Sequence, residues 1–415
     1  MKLIERPHYL KRLISVRHTP DIKVITGIRR SGKSKLMESF IAWLEQNDPD
    51  AHIIDIDLTS LRFESLKEYH HLNDYIEERY ESGKENYLFI DEVQNCTGFE
   101  LAINSLHASE KYHIFISGSN AFLLSSDLAT MFTGRVIEIE VYPFSFSEFV
   151  SYFECTDIQT ALNNYTIYGG MSGAYVYTEP SERFRYIQGV WDTLVLRDIK
   201  QKYKLRNKTG IERISDFMMD NISNITSSRS IAAILSSNQS SITYRTVITY
   251  MNYLCSAFAF YKFRRYDVRG KKYLSSNEKY YLCDHAFKYA KLGIKNLDLG
   301  RTLENIVAME LRRRGYEVYV GVLYKTEIDF VAIRRDEKIY IQVADDISLP
   351  ETRKREVAPL LKIPDAYPRM IISRTRQPKT LYEGIEIWDA AQWLLAGASE
   401  TWDDRIPSRN QLASQ

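Results

Sequence analysis

Two groups of residues in this sequence have types and spacing suited to chemistry on phosphates. The first is GIRRSGKS at 27–34, which fits G-x-x-x-x-G-K-[ST] at every fixed position. Glycines at both ends let the backbone curl until its N–H groups face an anion, and the N-terminus of a following helix adds its positive end. Lys33 is the residue for the β- and γ-phosphates of ATP, and Ser34 offers a hydroxyl to a bridging Mg²⁺. Gly27, Arg30, Ser31, Gly32, Lys33 and Ser34 are therefore the expected ATP contacts. What Arg29 and Arg30 add beside phosphate stays open between the nucleotide, a neighbouring subunit and an acidic partner. The second group is YLFIDE at 87–92, four apolar residues that carry Asp91 to a strand end. Asp91 suits the Mg²⁺ water shell, and Glu92 is placed to polarise an attacking water, which points to hydrolysis rather than to a small-molecule kinase. Asn120, in SGSN at 117–120, is the choice for orienting that water, with Ser119 next. Arg135 is placed either to reach an adjacent subunit's γ-phosphate as a finger or to form a plain surface ion pair.

These groups need a scaffold that brings strand ends together. IKVIT at 22–26 reads as a strand before the glycine loop, and SKLMESFIAWLEQN after it has apolar residues at helical spacing. Further strands are expected at 51–58, 87–90, 113–119 and 136–141, separated by helical or loop segments as parallel sheets require. Residues 1–142 therefore read as an α/β P-loop ATPase core. From 143 to 207 the pattern is helical and suggests a lid. Residues 208–298 give three helical stretches and then an alternating hairpin around Arg269 and Gly270, the order of a winged helix. Residues 299–400 form a second α/β unit that opens on LENIVAMELRRRG, with strands near 316–323, 328–334, 338–344, 368–373 and 384–388. Residues 401–415 read as a flexible tail.

The bulk properties narrow the class. The 415 residues exceed what one ordinary core needs, and 55 Lys or Arg against 54 Asp or Glu exclude a uniformly basic nucleic-acid coat. A hydrophobic share of 44% with 26% charged residues matches a folded globular protein, not a disordered or collagen-like one. No run approaches the ~18 apolar residues of a spanning helix, so no membrane is expected and the cytoplasm is the default. Cys96, Cys155, Cys255 and Cys283 lack paired spacing and read as buried thiols.

The charge is locally uneven. Between 201 and 280 there are 14 Lys or Arg and 5 Asp or Glu, an excess of nine in a chain whose total is +1. In a winged helix the second helix of the pair enters the major groove and the hairpin touches backbone. Thr243, Tyr244 and Arg245 near the start of that helix, with Arg264, Arg265, Arg269, Lys271 and Lys272 on the hairpin, are the expected DNA contacts. The bland alternative is subunit packing.

The motifs together resemble the prokaryotic AAA-type P-loop ATPases that carry a C-terminal domain of unknown function related to PD-(D/E)xK nucleases. RPHYLKRL at 6–13, GIRRSGKS, FIDEVQN at 89–95, SGSN, TGR at 133–135, YPFSFSEF at 142–149, YGGM at 168–171, LENIVAMELRRRGYEVYV at 303–320 and EIDFV at 327–331 carry the resemblance over nearly the whole chain. It implies an α/β fold with an AAA-type P-loop NTPase core, a helical lid, a winged helix and a restriction-endonuclease-like end. The matching nuclease positions are Glu304, Asp329, Gln342 and Ala344. Gln342 is a weak neutral ligand and Ala344 lacks an amine, so nuclease activity is expected to be absent; alternatively Glu304 and Asp329 are ordinary acids of the fold. The expected function is an ATP-hydrolysing machine using Mg²⁺, a homo-oligomer or ring, acting on branched or partly opened DNA. The alternative is an ATP-dependent switch that binds protein partners.

Overall fold

The computed structural model describes residues 6–118, 132, 134–205, 208–236, 242–294, 298–324 and 326–396. They divide into two compact units, one of Met1–Pro143, Asp192–Arg206 and Ser256–Phe258, the other of Phe144–Trp191, Asn207–Cys255 and Ala259–Gln415.

In the first unit five strands, β1 (Ile22–Thr26), β2 (Ala51–Asp57), β3 (Glu85–Asp91), β4 (His113–Ser117) and β5 (Val136–Glu140), lie in the order β2-β3-β4-β1-β5. Every neighbouring pair is parallel, so each strand needs a crossover. The helices Lys33–Asn47, Tyr69–Glu77 and Phe99–Ala108 supply three of them. Strands covered on both faces must be apolar throughout, and β1 is buried at all five positions. One face packs Val24, Ile56, Leu88, Ile90 and Ile116 on Leu72, Ile76 and Ile103. On the other, the rings of Phe40, Phe89 and Phe115 meet at 5.0–5.9 Å, geometry worth about 0.5–1.5 kcal/mol per pair beyond area. β4 separates the strand that ends in the glycine loop from the strand that ends in Asp91.

The second unit begins with the helix Phe146–Phe153, started by a capping box in which Glu148 N–H donates to Ser145 Oγ (3.0 Å) and Ser145 N–H to Glu148 Oε2 (2.8 Å). The helix Ile158–Tyr168 ends at Gly169, whose φ is 67°. A Cβ at Gly169 would lie 1.9 Å from Asp284 Oδ1, and one at Gly170 would lie 2.2 Å from Phe144 O. The YGGM motif is thus a packing requirement: Gly170 N–H donates to the buried Asp284 at 2.7 Å.

Nine strands follow in one sheet: β6 (Ile225–Thr226), β7 (Phe260–Asp267), β8 (Lys272–Leu282), β9 (Glu317–Leu323), β10 (Thr326–Arg334), β11 (Glu337–Ala344), β12 (Arg369–Ser373), β13 (Thr380–Tyr382) and β14 (Ile385–Asp389), ordered β13-β14-β12-β11-β10-β9-β7-β8-β6. Two departures from the expected organisation follow. The hairpin β7–β8 does not stand free, because β7 pairs in parallel with β9 through Arg265–Val320 and Tyr266–Gly321, so one sheet runs across position 298. The stretch 143–207 does not stay together either; 144–191 belongs to the second unit and 192–206 to the first. For the hairpin, hydrogen-bonded pairing between distant strands overrides local pattern. No helix among the described residues is long and apolar enough to cross a membrane.

Candidate functional site

The loop after β1 has the backbone its sequence demands. Gly27 sits at φ 129°, where a Cβ would lie 2.2 Å from Val141 O, so only glycine fits. Gly32, at φ 98°, opens the helix Lys33–Asn47. The buried Lys33 ammonium donates to the carbonyls of Gly27 (3.0 Å) and Ile28 (3.2 Å), its own loop. Burial lowers its pKa, against the pull of Glu92 and Asp91. Ser31 Oγ is buried without a hydrogen-bond partner among the described residues.

β3 and β4 bring the acids to the same place. Asp91, the last residue of β3, accepts hydrogen bonds from the hydroxyls of Ser117 and Ser34. Burial raises its pKa, and those two hydroxyls offset part of the rise. Glu92 has a left-handed backbone at φ 53°, its N–H shared between Asp91 Oδ1 (3.2 Å) and Ser117 Oγ (3.3 Å), while Gln94 donates to its carboxylate. The donor set fits Mg²⁺ and a triphosphate: an oxygen pair in Ser34 and Asp91, a buried ammonium, an unpartnered Ser31 hydroxyl and a cradle that a Cβ at Gly27 would fill.

Several contributors lie outside the predicted site residues. Arg6, only 4% exposed, donates from Nη1 to Ser31 O (3.0 Å) and from Nη2 to Tyr142 O (2.9 Å), and Tyr142 N–H donates to Tyr9 Oη (3.1 Å). RPHYL at 6–10 therefore braces the phosphate loop; its presence among the resemblance motifs was the one available sign. On β2, Asp55 lies in register with Phe89 and Asp57 with Asp91. Burial, then Asp91, raise the pKa of Asp55. Arg29 reaches Asp198 at 3.4 Å, so of the two loop arginines one is an internal ion pair. Arg30 is exposed at φ 64°.

The remaining predicted residues divide. Ser119 and Asn120 lie outside the described residues. Arg135 is exposed and its carbonyl accepts from Ile22 N–H (3.0 Å), which puts it at the start of β1, at the other end of the sheet from the loop. A contact from Arg135 to a γ-phosphate would thus have to be to another copy's. In the second unit Thr243, Tyr244, Arg245, Arg264, Arg269, Lys271 and Lys272 are exposed, and Arg265 is half-buried. Thr243 Oγ1 accepts from Thr246 N–H (3.2 Å) as a helix cap, and Arg264 and Arg269 lie 5.7 and 5.2 Å from the ring centres of Tyr273 and Tyr324.

The four nuclease-like positions fall partly together. Asp329 sits in a bulge of β10, and its Oδ2 accepts from Val343 N–H at 2.8 Å. Gln342 on β11 accepts from Asp329 N–H and donates to Glu356. Glu304 lies on the helix Leu299–Arg313, and Ala344 is buried in apolar surroundings. The expected lack of an amine is corrected in one respect: Lys279 on β8 supplies one, its Nζ 3.0 Å from Glu304, 2.7 Å from Glu327 and 3.9 Å from Asp329. Burial alone would lower the Lys279 pKa, but the three carboxylates together raise it. Burial, then Glu304, push Asp329 well above the carboxylate range. No spacing rule could have linked Lys279 to these acids, because it comes from the preceding hairpin.

Residues 19–150 match a family described as AAA domain, and residues 159–298 match a Domain of unknown function (DUF8612), which ends before the stretch read as nuclease-like. An uncharacterized protein of Haemophilus influenzae is 36% identical over 400 residues, 95% of this chain and 99% of that one. The uncharacterized protein MJ1544 of Methanocaldococcus jannaschii is 25% identical over 380 residues, 86% of this chain and 82% of its own. Among solved structures, the Walker-type ATPase PABY2304 of Pyrococcus abyssi is similar at a TM-score of 0.47 and 15% identity, covering 69% of this chain and 95% of that one. The chain belongs to the same family as the Haemophilus influenzae protein, and its residues 19–150 match an AAA domain.

Proposed function

We propose that this chain binds ATP with Mg²⁺ at the 27–34 loop, hydrolyses it, and spends the hydrolysis on DNA as a self-associating machine. The observation that carries the first part is the convergence of Lys33, Ser34, Asp91, Ser117 and Glu92 at the C-terminal edge of one parallel sheet. The loop amides and Lys33 would hold the phosphates; Ser34 and Asp91 would hold Mg²⁺, which would supply neutralising charge there. Glu92, fixed by Gln94, orients and polarises the attacking water. Asn120 remains the choice for a second water contact, and Arg135 for a finger toward another copy.

DNA is the proposed substrate because exposed cations cluster at the tip of β7–β8 and at the start of the helix Tyr244–Ser256. The order helix, short strand, two helices, hairpin between 208 and 282 supports a winged-helix reading. A second reading, an ATP-dependent switch for protein partners, is favoured by the tying of that hairpin into a nine-stranded sheet. Nuclease activity is proposed to be absent, since the Lys279 ammonium fills the space among Glu304, Glu327 and Asp329 and Gln342 is neutral.

The test is steady-state ATP hydrolysis, alone and with single-stranded, duplex and four-way-branched DNA at two salt concentrations, for wild type and Lys33→Ala. Hydrolysis lost in Lys33→Ala and stimulated by one DNA structure supports the proposal. Equal rates with every DNA, and no salt-dependent binding, transfer it to the protein-partner switch; unchanged turnover in Lys33→Ala removes the site.

A further inference from the structure

The opposite edge of the first sheet carries a group that the ATP site does not use. β3 runs from Glu85 to Asp91, so its two ends lie about 20 Å apart at ~3.3 Å per residue. At the Glu85 end, parallel pairing sets His113 beside Tyr87, and Glu85, two residues before Tyr87, faces the same side of the sheet. His113 Nε2 is 2.7 Å from Glu85 Oε2. His18, from the turn between the first helix and β1, brings its ring to 5.2 Å from that of His113, edge to face.

One ring nitrogen of His18, one ring nitrogen of His113 and one carboxylate oxygen of Glu85 all lie within 4.8 Å of one another. Two imidazoles and one carboxylate are the ligand types of a Zn²⁺-class ion, whose bonds of ~2.0–2.2 Å set tetrahedral ligand atoms about 3.3–3.6 Å apart. Side-chain adjustments of about 1 Å close that difference, with solvent available for the fourth position. The scaffold beneath is held in place. Tyr87, fully buried, sets its ring 5.0 Å from that of His113 at a tilt of 38° and donates its hydroxyl to Asp48 (3.0 Å). The buried Lys23 donates to the carbonyls of Thr19 (2.5 Å) and Arg17 (3.3 Å), on either side of His18. His107 meets Pro20 O, in the same turn, at 2.9 Å.

We infer that His18, Glu85 and His113 form a site for a Zn²⁺-class divalent ion that clips the turn at 17–21 to the N-terminal ends of β3 and β4, independently of the nucleotide. The ion is a clip rather than a reaction centre, because the site is shallow and remote from the phosphate loop. It differs in chemistry from the Ser34–Asp91 oxygen pair, which suits Mg²⁺.

Calorimetric titration of the full-length protein with ZnCl₂, and with Co²⁺ as a spectroscopic probe, tests this. The wild type is expected to bind one Zn²⁺ per chain at this site and to give the absorbance of four-coordinate, nitrogen-ligated Co²⁺. His18→Ala, His113→Ala and Glu85→Gln should each weaken binding by more than about 100-fold, since even outer partners of a metal ligand are worth about 10- to 100-fold. His70→Ala with His71→Ala, an adjacent pair elsewhere on the surface, should leave binding unchanged, and Zn²⁺ should raise the unfolding temperature of wild type only where His18, Glu85 and His113 are intact. No Zn²⁺ uptake by the folded wild type, or equal uptake by the folded His18→Ala/His113→Ala double variant, overturns the assignment. Glu85→Gln, which keeps size and an acceptor oxygen at a half-exposed position, carries the test if either histidine variant fails to fold.

Discussion

Arg6→Ala tests whether the segment before the glycine loop sets the loop's affinity for nucleotide. Arg6 is buried, its two terminal nitrogens occupied by Ser31 O at 3.0 Å and Tyr142 O at 2.9 Å, with the guanidinium 4.4 Å from the Tyr9 ring centre. Truncation removes charged donors from two buried carbonyls, each loss costing about 1–3 kcal/mol, or roughly 2–6 kcal/mol for both before water relaxes the site. Ser31 is inside the phosphate loop. If about 1.4–2.8 kcal/mol of that cost falls on the loop's bound conformation, ATP affinity drops about 10- to 100-fold. Fluorescent-nucleotide titration gives the affinity, and thermal unfolding checks the fold. Arg12→Ala is the control: Arg12 lies on the helix Pro7–Val16, whose N-cap is Arg6, and donates to Glu138 O of β5 at 3.0 Å, so stability should fall while affinity holds. A folded Arg6→Ala protein that binds ATP within twofold of wild type would refute the reasoning.

Glu92→Gln should keep ATP affinity and slow turnover by about 10²- to 10⁴-fold, and an unchanged kcat would assign the water to another group. Lys279→Met leaves three carboxylates facing one another in a buried site and should cost about 3–5 kcal/mol in urea unfolding; adding Glu304→Gln and Asp329→Asn should restore most of it, and a variant as stable as wild type refutes the ion cluster. Burial pushes Lys23 down to about 8 from 10.5, so between these values the unfolded chain holds a proton that the folded chain has released, and stability rises with pH there. Measured at pH 7.5 and pH 10, wild type should gain about 1–3 kcal/mol relative to Lys23→Met, and a constant difference would show that Lys23 titrates normally.

What could be read from the residue order was what is local. The G-x-x-x-x-G-K-S spacing names a loop because glycine alone tolerates the φ of 129° and the 2.2 Å approach to Val141 at Gly27. YLFIDE names a buried strand ending in acids, since apolar runs followed by carboxylates mark where a parallel strand leaves the core. The helix–hairpin order at 208–282 was visible for the same reason: turn chemistry at Asp267–Gly270 and periodicity act over a few residues. Tertiary structure decided everything that depends on which strand lies beside which. β4 between β1 and β3 brings Ser117 to Asp91, and β7 beside β9 turns an expected free wing into part of a nine-stranded sheet. Arg6 on the Ser31 carbonyl, Asp284 against two glycines, Lys279 among Glu304, Glu327 and Asp329, and His18 beside His113 join residues 25 to 115 positions apart. Such contacts form because a buried charge or carbonyl must find its partner wherever the chain returns, and that requirement leaves no spacing in the sequence.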